Sequence, residues 1–152
     1  MDVGGVTWIV TADAVEARIF AERVRSGAVK ELEELRMSAT DAERSAGHKQ
    51  RATVHDRQGH GRHGAGENSN GDEATRRFLK RVANSLSLAA GKGEFDKLVL
   101  MGPPRALGVL KDLLPTQLAA KVETTDPHER KRDTADDVRQ HLREARARMP
   151  AA

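Results

Sequence analysis

The stretch KLVLMGPPRALGVLKDLL, Lys97 to Leu114, decides the fold class of this chain. Its first five residues are almost continuously apolar, which is typical of a buried strand. Two prolines follow, and the next ten residues carry apolar side chains at helical spacing until Pro115 ends the pattern. A buried strand followed directly by a helix is the repeating unit of a sheet that is covered by helices. The stretch therefore predicts an α/β protein.

Further elements flank this unit on both sides. KVETT, Lys121–Thr125, predicts another strand. Thr134 and Asp137 form the pattern of a capping box for a last helix. Upstream, a long amphipathic helix is predicted to begin at Asp72 and to end at the glycines of GKG. The predicted buried faces of these two helices comprise Phe78, Val82, Ala83, Leu86 and Ala89 in the first and Val138, Leu142, Ala145 and Met149 in the second.

The N-terminal part of the chain predicts paired strands. TWIVTA (Thr7–Ala12) and EARIFAE (Glu16–Glu22) are short β-branched and apolar runs separated by a turn, as in a hairpin. The segment Val29–Met37 fits either a helix or a third strand, and periodicity does not decide between them. A hairpin followed by βαβα units predicts a mixed sheet with helices, in a single domain over residues 1–152.

Between the hairpin and the long helix lies a segment without apolar periodicity. Residues 38–71 are predicted to form a long loop, and we expect it to be mobile between Ala46 and Asn70. Its second half, HDRQGHGRHGAGENSN at 55–70, is rich in glycine and histidine and has no apolar side chain larger than alanine. Ordering such a backbone is costly in entropy, and nothing in it could bury enough surface to offset that cost.

Composition limits the possible functions. With 152 residues, 38% hydrophobic and 32% charged, the chain has the length and composition of one soluble domain. A net charge of +3 and a pI of about 9.5 favour polyanionic partners such as RNA. An aromatic content of 3% argues against a surface that stacks several bases. The absence of cysteine excludes disulfides, a thiol nucleophile and thiolate metal sites. We find no signal-peptide or membrane-spanning pattern, and we expect a cytoplasmic protein without membrane contact.

Several residues could carry chemistry, and each has a simpler structural interpretation. His60 and His63 with Glu67 could serve a metal-dependent hydrolase, but histidine spacing in this loop is irregular, so we expect neither metal nor cofactor. Glu67 and Asn68 could orient a water molecule, yet an exposed glutamate leading into a helix is the favoured interpretation. GPPRALG, with Arg105, could bind an anion but favours a stiff structural turn. The stripe formed by Arg139, Arg143 and Arg146 favours a solvated helix face.

Four segments in a fixed order resemble the bacterial host attachment protein family, described as proteins required for attachment to host cells. They are WIVTADAVEARIF, GHGRHGAGE, RRFLKRVANSL and FDKLVLMGPPRALGVLK. The resemblance runs from Trp8 to the C-terminal helix and is strongest at GRH and LVLMGPPRALG. The family is a distant relative of the central domain of archaeal and eukaryotic peptide-chain release factors. The resemblance thus implies a mixed sheet with helices of the ribonuclease-H-like, translation-machinery type.

In those release factors, a Gly-Gly-Gln loop ahead of a long helix enters the ribosomal peptidyl-transferase centre. The corresponding place here is GRHGAGENSNGDE, which has no Gly-Gly-Gln, so release catalysis is not implied. The resemblance implies a non-catalytic module whose loop 55–70 contacts RNA or the ribosome. A metal-dependent hydrolase or nuclease and a module that binds another protein remain as alternatives. The predicted binding residues are Gly61, Arg62, His63, Gly64, Glu67, Asn68 and Arg77, with Arg57 and Arg76 as basic neighbours.

Overall fold

The computed structural model of the chain describes residues 5–45 and 72–149 with their side chains, and residues 63–71 as helical backbone. The strands are β1 (Thr7–Ala12), β2 (Glu16–Glu22), β3 (Val29–Glu31), β4 (Met37–Ser38), β5 (Lys97–Met101) and β6 (Val122–Asp126). The helices are α1 (41–45), α2 (His63–Gly91), α3 (Pro104–Leu113), α4 (Thr116–Ala119) and α5 (Ala135–Ala147).

The described strands form one mixed sheet in the order β3-β2-β1-β5-β6, with β4 also paired to β2. β1 and β2 are antiparallel, as the predicted hairpin requires, whereas β1 is parallel to β5 and β5 is parallel to β6. Each parallel pair is joined through helices, because a parallel connection needs a crossover. The predicted fold class, a mixed sheet with helices, is confirmed.

Alternation along the strands divides the interior into two cores. In β5, Leu98 and Leu100 belong to the core shared with α2 and α3, whereas Val99 and Met101 belong to the core shared with α5. Successive strand residues point to opposite faces, so a strand covered by helices on both faces is apolar throughout. This double burial is the reason why KLVLM is continuously apolar after its first residue. All four aromatic side chains are buried, namely Trp8, Phe20, Phe78 and Phe95.

The turn after β5 depends on a glycine. A Cβ atom at Gly102 would collide with the carbonyl oxygen of Ala12 at the end of β1, so only glycine fits beside this neighbouring strand. Pro103 then precedes α3, and Pro104 is its first residue, where a missing backbone N–H costs no helical hydrogen bond. The interpretation of GPP as a stiff structural turn is confirmed.

Three predictions need correction, namely the segment Val29–Met37, the loop 38–71 and the start of the long helix. The ambiguous segment Val29–Met37 is neither one helix nor one strand, since a 3-10 turn at Glu33–Leu35 separates β3 from β4. The predicted loop 38–71 is shorter at both ends, because α1 occupies 41–45 and α2 begins at His63 instead of Asp72. Residues 46–62 lie outside the described part, so the predicted mobility there stays a prediction. The short helix α4 has too few residues to show a periodic pattern.

The predicted solvated stripe on α5 is confirmed only in part, because Arg139 is half-buried and donates from Nη2 to the Ser26 carbonyl oxygen at 2.9 Å. Arg146 is largely buried, and its guanidinium contacts the carboxylates of Glu22 at 2.8 Å and Glu123 at 3.0 Å. The sequence pattern could not show this, because both glutamates come from strands distant in sequence. Arg143 is exposed, as predicted.

Candidate nucleic-acid interface

Helix α2 extends well past the sheet that it covers. It has 29 residues, which corresponds to about 43 Å at the α-helical rise, whereas β1 and β5 have only six and five. Phe78 is its first buried residue among those whose side chains are described. Because α2 follows the β1–β2 hairpin and leads back to β5, its N-terminal half lies at the edge where β1 and β5 end. The predicted site residues belong to this half or directly precede it.

A basic groove runs along this part of α2. Its volume is about 480 Å³, and α1 forms its other wall. Arg76, Arg77 and Lys80 are all exposed to solvent, and residues three or four apart share one helix face. We call this the α1–α2 groove; it is lined by Ala42, Glu43, Glu73, Arg76, Arg77 and Lys80.

Helix α1 is fixed beside α2 by one arginine. Arg81 donates from Nε to Glu43 Oε2 at 2.8 Å and from Nη2 to the Ser38 carbonyl oxygen at 2.6 Å. Thr40 and Glu43 cap α1 reciprocally, with side chain to backbone bonds of 3.1 and 2.8 Å. The hydrogen bond from Arg81 holds the pKa of Glu43 below its ordinary value, although burial acts in the other direction. Glu43 is therefore ionised at neutral pH, and its charge is engaged by Arg81.

The remaining charges of the groove are predominantly positive. Arg77 pairs with Glu73 one turn earlier, at 2.8 Å. Among the residues whose side chains are described, Arg76 and Lys80 have no ion-pair partner. These charges extend into solvent from a helix that is anchored on its other side by Phe78 and Leu79. The groove thus presents cationic groups on a rigid support, which suits an extended polyanion.

A smaller cavity of about 250 Å³ lies at the ends of β1 and β5. Asp72 of α2 and Arg105 of α3 form an exposed ion pair at 2.7 Å beside it. Asp13 accepts hydrogen bonds from the backbone N–H groups of Val15 and Glu16, and this closes the β1–β2 turn. The lining is largely apolar and consists of Asp13, Ala14, Val15, Asp72, Thr75, Pro103, Arg105, Ala106 and Val109. Arg105 is thus engaged in an ion pair rather than presented to an anion.

The predicted binding residues fall into three groups. Arg77 lines the α1–α2 groove. His63, Gly64, Glu67 and Asn68 lie in the backbone of the first turns of α2, so their placement in a loop is corrected, and nothing is described of their side chains. Gly61, Arg62 and the neighbouring His60 lie outside the described residues. Their roles therefore stay predictions.

Sequence reasoning missed Glu43 and Lys80. Lys80 could have been found, since with Arg76 it lies on the face of the long helix opposite the predicted core stripe. Glu43 could not, because its contact with Arg81 joins residues 38 positions apart. No cluster of three or more metal-ligating side chains occurs where the structure describes side chains. The alternative that uses His60, His63 and Glu67 is not tested by that observation. Among the described helices, none is both long and apolar enough to span a bilayer.

The chain forms a mixed β-sheet with helices on both faces, and the basic part of helix α2 extends past this sheet. Residues 8–142 match the model of the family described as "Protein required for attachment to host cells", and the chain belongs to this family. The resemblance inferred from sequence is confirmed. No curated protein sequence matches the chain.

Solved structures with a similar fold include an archaeal translation termination factor, aRF1, at 14% identity and a TM-score of 0.47. The match covers 93% of this chain and 39% of that one. A second structure, titled "Archaeal protein", gives 14% identity and a TM-score of 0.46 over 93% of this chain and 38% of the other. The present chain thus spans about two fifths of the length of either protein.

Proposed function

We propose that the protein is a non-catalytic, cytoplasmic module that binds RNA, free or within the ribosome, through the α1–α2 groove. The observation that carries this proposal is the grouping of Arg76, Arg77 and Lys80 on the solvent side of one rigid helix. Lysine and arginine contacts to phosphate supply most of the affinity of sequence-independent RNA binding. On this proposal, the attachment named in the family description is affected indirectly.

The buried aromatic residues support one particular mode of binding. Because Trp8, Phe20, Phe78 and Phe95 are all enclosed in the cores, none of them is available to stack on a base. The proposed contact is therefore to the phosphate backbone, with little dependence on base sequence. We further propose that Gly61 and Arg62, which precede α2 in the sequence, extend this contact, with His63, Gly64, Glu67 and Asn68 in the first turns of α2.

Fluorescence anisotropy with a labelled single-stranded RNA across a salt series tests the proposal. Three phosphate contacts predict a slope of about −2 for log K against log salt, because each contact releases a fraction of a counterion. The Arg76→Ala/Arg77→Ala/Lys80→Ala variant should lose most of the affinity and most of this slope. Arg62→Ala should reduce the steepness by about 0.7 if that side chain also contacts phosphate.

The matched control is Lys30→Ala/Lys92→Ala/Lys111→Ala. These three lysines are exposed and lie outside the groove, and their removal changes the net charge by the same amount. Circular dichroism verifies that both variants fold. Equal loss of RNA binding in the two variants would show that only net charge matters, and would contradict a site at the groove. Binding of a protein partner that is insensitive to salt would favour the protein-interaction alternative.

A further inference from the structure

A second group of basic side chains surrounds a buried carboxylate at the end of β6. Asp126 is only 1% exposed. Its Oδ1 atom lies 2.6 Å from Nδ1 of His128, and its Oδ2 atom accepts a hydrogen bond of 2.9 Å from Nε of Arg130. Arg148, just past the end of α5, brings Nη2 to 3.7 Å from the same carboxylate. Two guanidinium groups and an imidazole thus converge on one carboxylate.

The cluster holds more positive charge than Asp126 requires. A buried carboxylate is stabilised by one well-placed cation together with its hydrogen bonds, and Arg130 already fills that role. His128 and Arg148 are more than half exposed, with side-chain exposures of 60% and 55%. The carboxylate of Asp126 is therefore buried, whereas the side chains of His128 and Arg148 lie at the surface. The nearby carboxylate of Glu129 is engaged by the backbone, because its Oε2 atom accepts a hydrogen bond of 2.8 Å from the N–H group of Lys131.

The backbone holds this arrangement in place. The carbonyl oxygen of Asp126 accepts hydrogen bonds from the backbone N–H of Gly102 at 3.0 Å and of His128 at 2.8 Å. Pro127, which lies between Asp126 and His128 in the sequence, has a fixed φ angle. Burial acts to raise the pKa of Asp126, but hydrogen bonds from Arg130 and His128 outweigh it and hold the pKa below its ordinary value. The carboxylate thus stays ionised at neutral pH and orients both partners.

The donors that remain are suited to a tetrahedral oxyanion. With Nε bound to Asp126, the two terminal nitrogens of Arg130 have no hydrogen-bond partner among the described residues. Guanidinium groups bind phosphate oxygens through paired, charge-assisted hydrogen bonds, and a carboxylate that fixes Nε orients the outer edge of the group. A divalent cation is a poor alternative ligand, because the only buried carboxylate here is covered by positive groups.

We propose that His128, Arg130 and Arg148 form a binding site for a phosphate group, and that Asp126 positions them. The site includes the end of α5, which packs on the face of the sheet opposite α2. It is therefore separate from the α1–α2 groove and goes beyond the proposed RNA contact there. The phosphate group can belong to a small phosphate ester or to a nucleic-acid backbone.

A titration of the full chain with inorganic phosphate, followed by nitrogen-15 NMR, tests this proposal. We expect saturable shifts of the Arg130 Nε–H and His128 ring resonances that sodium chloride at the same ionic strength does not cause. The absence of a saturable shift in the wild-type protein would overturn the proposal without recourse to any variant.

Two variants then locate the site. His128→Ala/Arg148→Ala keeps Arg130 on the buried carboxylate, and phosphate should bind about tenfold more weakly or worse, because charge-assisted hydrogen bonds are lost. Arg143→Ala, an exposed position on the same helix, is the control and should bind phosphate as the wild type does. Equal affinity in the wild type and the double variant would overturn the assignment. Arg130→Lys, which keeps the charge but not the paired donors, should also bind more weakly.

Titrations with two further ligands distinguish a small phosphate ester from a nucleic-acid backbone as the source of the phosphate group. A nucleoside 5′-monophosphate and a short RNA are titrated in the same way. A small-ester site predicts the Arg130 shift with the monophosphate alone, whereas a backbone site predicts it with both ligands. The variants of the α1–α2 groove leave this readout unchanged, so failure of the proposed RNA function and failure of the phosphate site are distinguishable.

Discussion

At the scale of single residues, Glu31 joins three parts of the molecule. Its carboxylate accepts hydrogen bonds from Arg18 of β2 at 2.7 Å and from Arg36, just before β4, at 2.7 Å. Arg18 also donates to the carbonyl oxygens of Lys131 and Asp133 ahead of α5. The hydrogen bonds from Arg36 and Arg18 lower the pKa of Glu31 from an ordinary 4.5 to about 2. A group with a lowered pKa stabilises the fold above its ordinary pKa.

The first prediction is that Glu31→Gln lowers the free energy of unfolding by about 2 kcal/mol at pH 7. This difference from the wild type should shrink as the pH falls from 4.5 toward 2, because the wild-type carboxyl group then takes up its proton. Urea unfolding at a series of pH values measures it. Glu33→Gln, at an exposed neighbouring position, is the control and should leave the pH profile unchanged. A constant difference across the pH range would contradict the assigned role.

Arg146 neutralises two buried carboxylates at once. The Glu22 and Glu123 side chains are 1% and 6% exposed, and that of Arg146 is 13% exposed. Burial acts to lower the pKa of Arg146, but the hydrogen bonds that it donates to Glu22 and Glu123 outweigh burial and raise the pKa above its ordinary value. Arg25 also reaches Glu123, at 2.6 Å from a more exposed position. Removal of Arg146 would thus leave Glu22 as a buried charge without its cation.

The second prediction concerns the buried charge that removal of Arg146 would leave. Arg146→Ala should lower the free energy of unfolding by about 3–5 kcal/mol, because breaking a buried ion pair leaves an uncompensated charge. Arg143→Ala, on the exposed face of the same helix, should change it by about 0.5 kcal/mol or less. Chemical denaturation of both variants at neutral pH measures the difference. Similar stabilities for the two variants would show that the buried network contributes little.

At the scale of elements, the amino-acid sequence predicts packed segments well and unpacked ones poorly. β1, β2 and β5 have the predicted limits, because their apolar side chains mark the length over which each strand is buried. The capping box at Thr134 and Asp137 was also found, since it depends on four consecutive residues. Residues 63–71 of α2 were predicted as a loop, because the part of a helix that extends past the sheet buries no face and therefore shows no apolar stripe in the sequence.

The third prediction concerns protection along α2. Amide hydrogens of residues 79–89 should exchange slowly, since this part is packed into the core. Those of residues 67–74 should exchange much faster, because the first nine residues of α2 contain three glycines, Gly64, Gly66 and Gly71, and Phe78 is the first residue of α2 that is described as buried. Hydrogen exchange resolved along the helix measures both. Equal protection of the two parts would show that the start of α2 is packed against another segment or a partner.

At the scale of the whole molecule, the net charge of +3 hides an uneven distribution. The interior charges are largely compensated in pairs, whereas cations remain in the α1–α2 groove and around Asp126. Arg76 and Arg77 could be predicted as site residues from their place at the start of the long helix. The groove itself and the Asp126 cluster could not, because both depend on contacts between segments that only the tertiary fold brings together.

Co-sedimentation with ribosomes from the organism's own lysate, across a salt series, is the sharpest test of RNA binding through the α1–α2 groove. We expect the wild-type chain and the Lys30→Ala/Lys92→Ala/Lys111→Ala control to sediment with ribosomes at low salt and to be released as salt rises. We expect the Arg76→Ala/Arg77→Ala/Lys80→Ala variant to stay in the supernatant at every salt concentration. Equal sedimentation of all three proteins, or absence of the wild-type chain from ribosomal and RNA fractions alike, would contradict RNA binding at this groove.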